Sequence, residues 1–328
     1  MYVLGLDIGG TKLAAGVVAP DGRLLSWQRT PTGAAEGPGA VIGRLLRLGR
    51  LAVERAGVDW RQIAAAGVGC GGPLDPDQGV ILGPPHLPGW VELPLGHRLE
   101  GALGIPVYID NDANAAALGE HRFGAGRGTS NLVYLTISTG VGGGVIINDR
   151  LYRGENGNAG EIGHMSVDYK GRRCVCGRQG CLEAYVSGTA IAARAREAVQ
   201  AGRPSALREL AGHACRITAE LVVAAMQAGD ALAAAIWAET VTILAAGLTN
   251  VIHIYNPRLV VLGGGVTNAG DLLFEPVRRL ALGAAFPRLA AAVEIVPARL
   301  GGQVGVFGAA AVALDRLEPE GREACERV

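Results

Sequence analysis

Three cysteines and one histidine are spaced as metal ligands in the middle of the chain. Cys174, Cys176 and Cys181 follow the pattern Cys-x-Cys-x4-Cys, and His164 lies ten residues before the first of them. Thiolate sulfur and imidazole nitrogen can together close a tetrahedral Cys3His site, a donor set that structural zinc takes in irregular loops. A disulfide scaffold is disfavoured, because such scaffolds are shorter and denser in cysteine. The spacing therefore predicts a zinc-ordered loop.

Two carboxylates bracket this loop. Glu161 stands three residues before the histidine, and Glu183 stands two residues after the last cysteine. A loop that a metal orders would also fix these two side chains in space. Hydrogen-bonding carboxylates held in this way suit the hydroxyl groups of a polyol.

Two glycine-containing turns have the composition of phosphate-binding turns. Residues 7–12 read Asp-Ile-Gly-Gly-Thr-Lys, and residues 138–140 read Ser-Thr-Gly. Backbone N–H groups in such turns can converge on phosphate oxygens, and threonine or lysine adds further donors. Neither turn has the Gly-x4-Gly-Lys-Ser/Thr spacing, so a P-loop ATPase is disfavoured. Each turn alone fits an ordinary hairpin, but the pair favours a polyphosphate site.

Asp112 stands where a strand is predicted to give way to a helix. Residues 107–109 are apolar and strand-like, and the small residues of 113–121 favour a helix. Joints at the carboxyl ends of strands are where open α/β sheets keep their sites. A carboxylate held there can accept the proton of a hydroxyl that attacks a γ-phosphoryl group. The alternative is that Asn111 or Asp112 only caps the helix.

The elements that must position these residues alternate between strands and helices. Apolar runs predict strands at residues 2–8, 13–19, 23–28, 63–68, 107–109, 132–137, 145–147, 258–262 and 294–296, with a turn at 138–144. Helical periodicity predicts helices at residues 41–56, 113–121, 189–199, 218–227, 231–251 and 304–314.

The first strands recur in the second half of the chain. A shift of 129 residues lays Leu6 on Leu135 and Val17 on Ile146. This repetition favours two similar lobes with a cleft between them, although two unrelated hairpins in a glycine-rich chain would give the same pattern. We expect an N-terminal lobe at 1–117, joined by a helix at about 303–316, and a C-terminal lobe at 118–302 that contains the loop 161–183.

Composition excludes several classes of partner. The formal net charge of the 328 residues is zero, which gives no electrostatic reason to expect nucleic acid or a membrane surface. No signal segment precedes the first strand, and no apolar stretch is expected to approach the 18 residues of a membrane span. We expect a soluble cytoplasmic protein with a small-molecule ligand. Cys70, Cys215 and Cys325 are interpreted as core or surface thiols, and the charged tail beyond residue 318 as frayed.

Taken together, these motifs resemble the ROK family (repressor, open reading frame, kinase), especially its bacterial glucokinases. The resemblance runs from about residue 2 to 312, and the cysteine block is its most specific part. The motifs occur in the family's order at residues 7–12, 111–116 (Asn-Asp-Ala-Asn-Ala-Ala), 138–144 (Ser-Thr-Gly-Val-Gly-Gly-Gly), 159–164 (Ala-Gly-Glu-Ile-Gly-His) and 174–183.

The resemblance implies an α/β fold of the actin-like ATPase (ribonuclease H-like) type with two duplicated lobes. It implies that Asp112 is the catalytic base and that Mg²⁺ lies near Asp7. The implied sugar contacts are Gly72, Asn111, Asp112, Glu161, His164 and Glu183. The implied ATP contacts are Asp7, Gly9, Gly10, Thr11, Lys12, Thr139, Gly140, Gly264 and Gly265. The implied ligands of structural Zn²⁺ are His164, Cys174, Cys176 and Cys181.

The activity implied by the resemblance is ATP-dependent phosphorylation of a hexose, with glucose as the first expectation. N-acetylglucosamine, N-acetylmannosamine and fructose are alternative substrates, because Cys70-Gly71 and His86 depart from many relatives along the expected sugar wall. A homodimer or homotetramer is implied. A sugar-responsive repressor of the same family would need a helix-turn-helix domain before Tyr2, where the first strand begins, and a non-catalytic sugar-binding relative would not need Asp112.

Overall fold

A computed structural model of the chain describes residues 1–317, so the charged tail and Cys325 lie outside the described residues. Contacts divide the chain into two compact units. Unit 1 comprises Met1–Ser130, Gly144–Gly160 and, among the described residues, 298–317, and unit 2 comprises Asn131–Gly143 and Glu161–Pro297. The expected boundary after residue 117 falls inside a helix that belongs wholly to unit 1.

The strands are β1 (Tyr2–Ile8), β2 (Lys12–Val18), β3 (Leu24–Pro31), β4 (Ile63–Cys70), β5 (Leu74–Asp75), β6 (Val80–Ile81), β7 (Val107–Asn111), β8 (Leu132–Ile137), β9 (Val141–Ile147), β10 (Arg150–Leu151), β11 (Leu259–Gly263) and β12 (Glu294–Pro297). The helices are α1 (Pro38–Ala56), α2 (Leu95–Leu103), α3 (Asp112–Phe123), α4 (Glu183–Val186), α5 (Gly188–Gln200), α6 (Leu207–Ala211), α7 (Ala219–Gln227), α8 (Ala231–Tyr255), α9 (Asp271–Ala284), α10 (Pro287–Ala290) and α11 (Val304–Leu317).

Unit 1 is built on a five-stranded sheet with the order β3-β2-β1-β4-β7. β1, β4 and β7 are parallel, and β2 and β3 are antiparallel to their neighbours. Alternate residues of β1 serve opposite faces: Leu4 and Leu6 join the core that includes α1, and Val3 joins the core that includes α11. Gly67 of β4 admits α11 closely, because a Cβ there would lie 1.7 Å from the carbonyl oxygen of Ala309.

The second sheet has the order β10-β9-β8-β11-β12, in which β8, β11 and β12 are parallel and β10 is antiparallel to β9. The two sheets thus share one plan, with a hairpin on one side and parallel strands on the other. This agreement confirms the predicted α/β class and the duplicated strand pattern. The predicted turn at 138–144 is wrong in its extent, because β9 already begins at Val141.

The expectation that no apolar stretch approaches membrane-span length is wrong. α8 has 25 residues, and its most apolar window has a mean hydropathy of 1.7, which is enough to cross a bilayer by length and composition. Of that window, 56% is buried inside the protein. Residues such as Leu244, Leu248 and Ile252 are inaccessible to solvent. α8 is therefore long and apolar because other elements of unit 2 pack around it.

Candidate active site

In unit 1 the carboxyl ends of three parallel strands bring polar residues into one row. Asp7 of β1 lies opposite Gly69 of β4, which lies opposite Asp110 of β7. In the next row Cys70 lies between Ile8 and Asn111. A parallel sheet therefore gathers the predicted residues of the first turn, the Cys70-Gly71 segment and the Asn-Asp pair at one edge.

The side chain that caps α3 is that of Asn111. Its Oδ1 accepts hydrogen bonds from the backbone N–H groups of Ala113 (2.8 Å) and Asn114 (3.4 Å). Its Nδ2 faces Gly72, where a Cβ would lie 3.2 Å away. Because the amide oxygen is committed to the cap, the NH2 group is the part of Asn111 that can meet a ligand.

Asp112 is the first residue of α3, with Oδ1 2.8 Å from the N–H of Ala113. The side chain can be reached by solvent, yet dense surrounding protein withdraws water from it and raises the pKa of the carboxyl, an effect that the Ala113 N–H and His86 partly oppose. A carboxylate that is accessible, confined and raised in pKa suits the role of a general base.

Asp7 is the second acid at this edge. Burial, and then the charge of Asp112, raise the pKa of Asp7 to about 7. The carboxylate lies against the first turn of α11, because a Cβ at Gly305 would lie 2.3 Å from Oδ2. A helix N-terminus favours the ionised form and works against the effect of burial. Carboxylate oxygen is the ligand type that Mg²⁺ takes in proteins, so the donor chemistry of Asp7 fits this ion.

The glycine turn after β1 has backbone donors to spare. The Gly9 N–H is bonded to the carbonyl of Lys12 (2.9 Å), and the hydroxyl of Thr32 donates to the Gly9 carbonyl (2.6 Å). Within residues 1–317, no acceptor is found for the N–H groups of Gly10 and Thr11. The bonds of Gly9 to Lys12 and Thr32 thus fix the turn, while two adjacent N–H groups stay available to an anion.

His86 belongs to the same part of unit 1. Its Cβ would lie 2.8 Å from a Cβ placed on Gly10, and its charge lowers the pKa of Asp112. Cys70 is buried at the end of β4, and burial, Asp112 and Asp7 all raise the pKa of its thiol. A neutral thiol at this place is part of the core rather than a nucleophile. The two departures noted in the sequence therefore both lie beside the acids.

In unit 2 the turn 138–140 has available N–H groups like those of the glycine turn after β1. Ser138 N–H bonds to the Gly140 carbonyl (2.9 Å), whereas the N–H groups of Thr139 and Gly140 have no acceptor among the described residues. The start of α5 holds the turn from behind, because Gly188 N–H donates to the Ser138 carbonyl (2.7 Å) and the Thr189 hydroxyl donates to the Thr139 carbonyl (2.6 Å).

A cavity of about 250 Å³ opens beside this turn, entirely within unit 2. The N-terminal ends of α5 and α7 both contribute to it, which favours an anionic ligand. Its volume is close to the lower end of ligand pockets, roughly 300 Å³. Its walls combine apolar, hydroxyl and charged side chains: Ser138, Thr139, Gly188, Thr189, Ala192, Arg196, Thr218, Ala219, Glu220, Gly265 and Val266.

Gly264 follows β11, which lies beside β8, and reaches its place only because it lacks a side chain. Its φ is +90°, and a Cβ would lie 2.4 Å from the carbonyl oxygen of Ile137. Gly265 begins the 3₁₀ turn Gly265–Ala269 and lines the cavity. Gly265 is therefore brought to the same cavity wall as Thr139, and Gly264 directly precedes it beside Ile137.

The four predicted metal ligands are brought together in unit 2. Their donor atoms all lie within 4.8 Å of one another. Cys176 Sγ is 3.7 Å from Cys181 Sγ, and Cys174 Sγ is 3.7 Å from His164 Nδ1. Two sulfur ligands on a regular tetrahedron with bonds of about 2.3 Å lie about 3.8 Å apart. The cluster therefore fits a tetrahedral metal ion of the size of zinc.

The two ring nitrogens of His164 face different partners. Nδ1 faces the sulfur cluster, and Nε2 faces Glu161 at 3.9 Å. Burial raises the pKa of the Cys174 thiol to about 12, whereas the Arg178 N–H lowers that of Cys176. A bound cation would favour the thiolates at all three cysteines. His164 can thus ligate a metal on one side and present its other nitrogen to a ligand.

The predicted site residues fall into two groups, each assembled within its own unit. Unit 1 gathers Asp7, Gly9, Gly10, Thr11, Lys12, Gly72, Asn111 and Asp112; unit 2 holds Thr139, Gly140, Glu161, His164, Glu183, Gly264, Gly265 and the three cysteines. Sequence reasoning missed the cavity residues Thr189, Thr218 and Glu220 and the buried Asp110. The helix-start pattern at Thr218 was a signal, since its hydroxyl accepts the Leu221 N–H as an N-cap.

Residues 3–316 match the model of the ROK family. A glucokinase of Thermotoga maritima is 36% identical over 317 residues, which span 97% of this chain and 98% of that one. Among solved structures, the ROK hexokinase of Thermus thermophilus is 38% identical with a TM-score of 0.81, and covers 97% of this chain and 100% of its own. A ROK family glucokinase of Streptomyces griseus, in complex with glucose and AMPPNP, is 35% identical with a TM-score of 0.79 and the same coverage.

Proposed function

The chain belongs to the ROK family, and from this we propose that it is a glucokinase, which transfers the γ-phosphoryl group of ATP to the 6-hydroxyl of glucose. One observation carries the proposal most directly. Asp112, an accessible carboxylate with a raised pKa, stands at the carboxyl end of β7 beside Asp7 and a turn with available N–H groups. That combination suits phosphoryl transfer to a hydroxyl.

Asp112 accepts the proton of the 6-hydroxyl while the oxygen of that hydroxyl attacks the γ-phosphorus. The bond between the γ-phosphorus and the β,γ-bridging oxygen breaks, and ADP leaves with that oxygen. When bound, Mg²⁺ supplies positive charge to the phosphate oxygens, and Asp7 would be its protein ligand. A cation there also favours the ionised form of Asp7, whose pKa of about 7 is set by burial.

The available N–H groups of Gly10 and Thr11 in unit 1, and of Thr139 and Gly140 in unit 2, would bind phosphate oxygens. Lys12 is exposed and adds a charged donor. The cavity lined by Thr189, Thr218 and Gly265 would take the nucleoside. Phosphoryl transfer also needs water to be excluded from the reacting groups.

The sugar would be bound by Asn111 through its NH2 group, by Glu161 and Glu183, and by His164 through Nε2. Gly72 would leave room beside Asn111. The Cys3His cluster would hold zinc, whose role is to order this loop and not to take part in phosphoryl transfer. His86 and Cys70, the two departures from the family pattern, would adjust which sugar fits.

We further propose a soluble cytoplasmic homo-oligomer, a dimer or tetramer, that binds neither nucleic acid nor membrane. The zero net charge and the buried α8 support this view.

The test is a panel of sugars assayed with ATP and Mg²⁺. Glucose is expected to give glucose 6-phosphate with the highest kcat/KM, ahead of fructose, N-acetylglucosamine and N-acetylmannosamine. A higher value for one of the other sugars would keep the kinase and change its substrate. No phosphorylation of any hexose at saturating ATP would refute the proposal, and sugar-dependent binding to a DNA site would favour a repressor instead.

A further inference from the structure

Asp110 is a buried carboxylate that the mechanism above does not use. Asp110 directly precedes Asn111 and Asp112 in the chain, and its side chain is inaccessible to solvent. Oδ1 accepts hydrogen bonds from the N–H of Asn111 (2.8 Å) and from Nδ2 of Asn114 (3.0 Å), and Oδ2 accepts one from Nε of Arg153 (2.8 Å). Asp110 therefore shapes the joint between β7 and α3 through protein donors on both oxygens.

Arg153, two residues after β10, connects three parts of unit 1. Besides Asp110, its guanidinium donates to Oδ2 of Asp315 in α11 (3.1 Å). Its main-chain carbonyl accepts the N–H of Ala159 (3.1 Å), which closes residues 153–159 into a loop. The chain leaves this loop directly into Glu161, a predicted sugar contact. The side chain of Arg153 thus holds the joint that carries Asp112, and it also fixes the residue at which the segment leading to Glu161 begins.

The charges explain why this anchor matters. A buried carboxylate stays ionised only if it is paired and hydrogen-bonded. Without the guanidinium, Oδ2 of Asp110 loses its charged partner inside the protein, so Asp110 is expected to shift and its Oδ1 to hold Asn111 and Asn114 less firmly. Asp112 follows two residues later in a first turn that these bonds fix. The direction of the Asp112 carboxylate therefore depends on a residue more than forty positions away in the sequence.

We propose that Arg153 is a positioning residue for phosphoryl transfer, which acts through Asp110 to aim Asp112 and fixes the start of the segment that carries Glu161. The proposal rests on the proposed kinase function. It differs from a merely structural role, in which the loss of Arg153 would lower stability and leave the turnover of each folded molecule unchanged.

The decisive variant is Arg153→Met, which keeps the length of the side chain and removes its charge. Its kcat for glucose phosphorylation is expected to fall roughly 100-fold, because small misplacements of catalytic groups have effects of this size. Its KM for ATP is expected to stay within about threefold. Arg153→Lys is expected to recover part of kcat, since an ammonium can reach Asp110 without also holding Asp315.

The matched control is Arg316→Met. Arg316 is another arginine of unit 1 whose guanidinium pairs with an aspartate, Asp77, at 2.9 Å, but that carboxylate is exposed and lies far from Asp112 in the chain. This variant is expected to keep the kcat of the wild type. Thermal unfolding of every variant reports whether the folded fraction accounts for a loss of activity.

Where Arg153→Met fails to fold, the double variant Asp110→Asn/Arg153→Met removes both buried charges and so the unpaired one. We expect it to fold and to keep a kcat at least tenfold below that of the wild type, since the loop 153–159 is no longer anchored. A folded variant of either kind with kcat within about twofold of the wild type overturns the proposal.

Hydrogen exchange separates this proposal from the proposed function. The N–H groups of Ala113 and Asn114 bond to Oδ1 of Asn111, so Arg153→Met is expected to speed their exchange, whereas Arg316→Met leaves it unchanged. A wild type that phosphorylates no hexose would refute the kinase, and exchange alone would then decide whether Arg153 positions the joint. Unchanged exchange in Arg153→Met would overturn that role.

Discussion

Glu183 accepts the backbone N–H of Val141 through Oε2 at 2.8 Å. The same carboxylate lies beside the cluster, with Oε1 3.6 Å from Sγ of Cys174, and against Gly140, where a Cβ would be 2.5 Å from Oε2. One side chain therefore connects the metal cluster to the end of the turn 138–140. The sequence suggested only a sugar contact for Glu183, and this second relationship predicts that its loss affects the nucleotide as well.

We expect Glu183→Ala to raise the KM for ATP roughly tenfold, because a hydrogen bond to a charged acceptor contributes about 1.5–3 kcal/mol and Val141 N–H would lose it. The KM for glucose should rise too. Steady-state kinetics in both substrates checks this, with Glu294→Gln as the control, an exposed carboxylate of unit 2 that pairs with Arg258. An unchanged KM for ATP would limit Glu183 to the sugar.

Asp112→Asn should lower kcat by about 10²–10⁴-fold, because a general base contributes this much. Glucose affinity should be largely kept, since Asn111 still caps α3 and its NH2 group is not altered. Isothermal calorimetry gives the glucose affinity of the variant, and a coupled assay gives kcat. Full activity in Asp112→Asn would assign the base to another group.

Acid should weaken the enzyme through Asp7. Its pKa is about 7 in the folded protein, so below that pH the carboxylate holds a proton and loses its value as a Mg²⁺ ligand. The Mg²⁺ concentration for half-maximal rate is expected to rise about tenfold for each pH unit below 7. A Mg²⁺ requirement that is independent of pH between about 5 and 8 would contradict this assignment.

The same group should make the protein less stable as the pH rises. An unfolded chain releases the proton near pH 3.8 and the folded chain near 7, so the favourable contribution of Asp7 is complete below the first value and is lost as the pH passes the second. Asp7→Asn is therefore expected to raise the free energy of unfolding at about pH 8 by roughly 1–4 kcal/mol, while it abolishes Mg²⁺-dependent turnover. Denaturant unfolding at two pH values measures it.

Removal of the metal should weaken sugar binding more than ATP binding. Cys176→Ser or chelation is expected to weaken glucose binding about tenfold or more and to loosen the loop, with a smaller effect on ATP that is transmitted by Glu183. Metal content by mass spectrometry and calorimetric titration of each ligand check this. Cys215→Ser is the control, because Cys215 is exposed and outside the cluster. Equal loss of both ligands would mean that the metal supports the whole unit.

Local signals were sufficient for most elements. β1 and β8 lie at the predicted residues, since an apolar run bounded by a glycine turn needs no distant partner to be recognised. α9 was missed although Leu273, Val277 and Ala281 of its buried face recur at four-residue spacing, because Pro276 inside the helix obscures the pattern. The predicted helix at 231–251 stops four residues before the end of α8, whose last turn carries the polar residues His253 and Tyr255.

The candidate site likewise contains parts that local spacing predicts and parts that it does not. The Cys3His cluster was predictable because its ligands share one short loop, and the same holds for the Asn111-Asp112 joint. The contacts between Glu183 and Val141, and between Asp110 and Arg153, join residues about forty positions apart. The first joins α4 to the start of β9, the second joins β7 to the loop after β10, and no spacing in the chain encodes either. The cavity beside the turn 138–140 could not be predicted for the same reason, because its walls come from separate parts of the chain.

The close seat of α11 on β4 has a consequence for biosynthesis. The backbone of α11 passes Gly67 and covers the face of the first sheet that contains Val3 and Ala65, yet more than half the chain separates this helix from β7. Until the ribosome has made unit 2 and then α11, this apolar face of the first sheet stays exposed to solvent. Vectorial folding can complete unit 2 before unit 1, so truncated or stalled chains should present the uncovered face to chaperones and proteases.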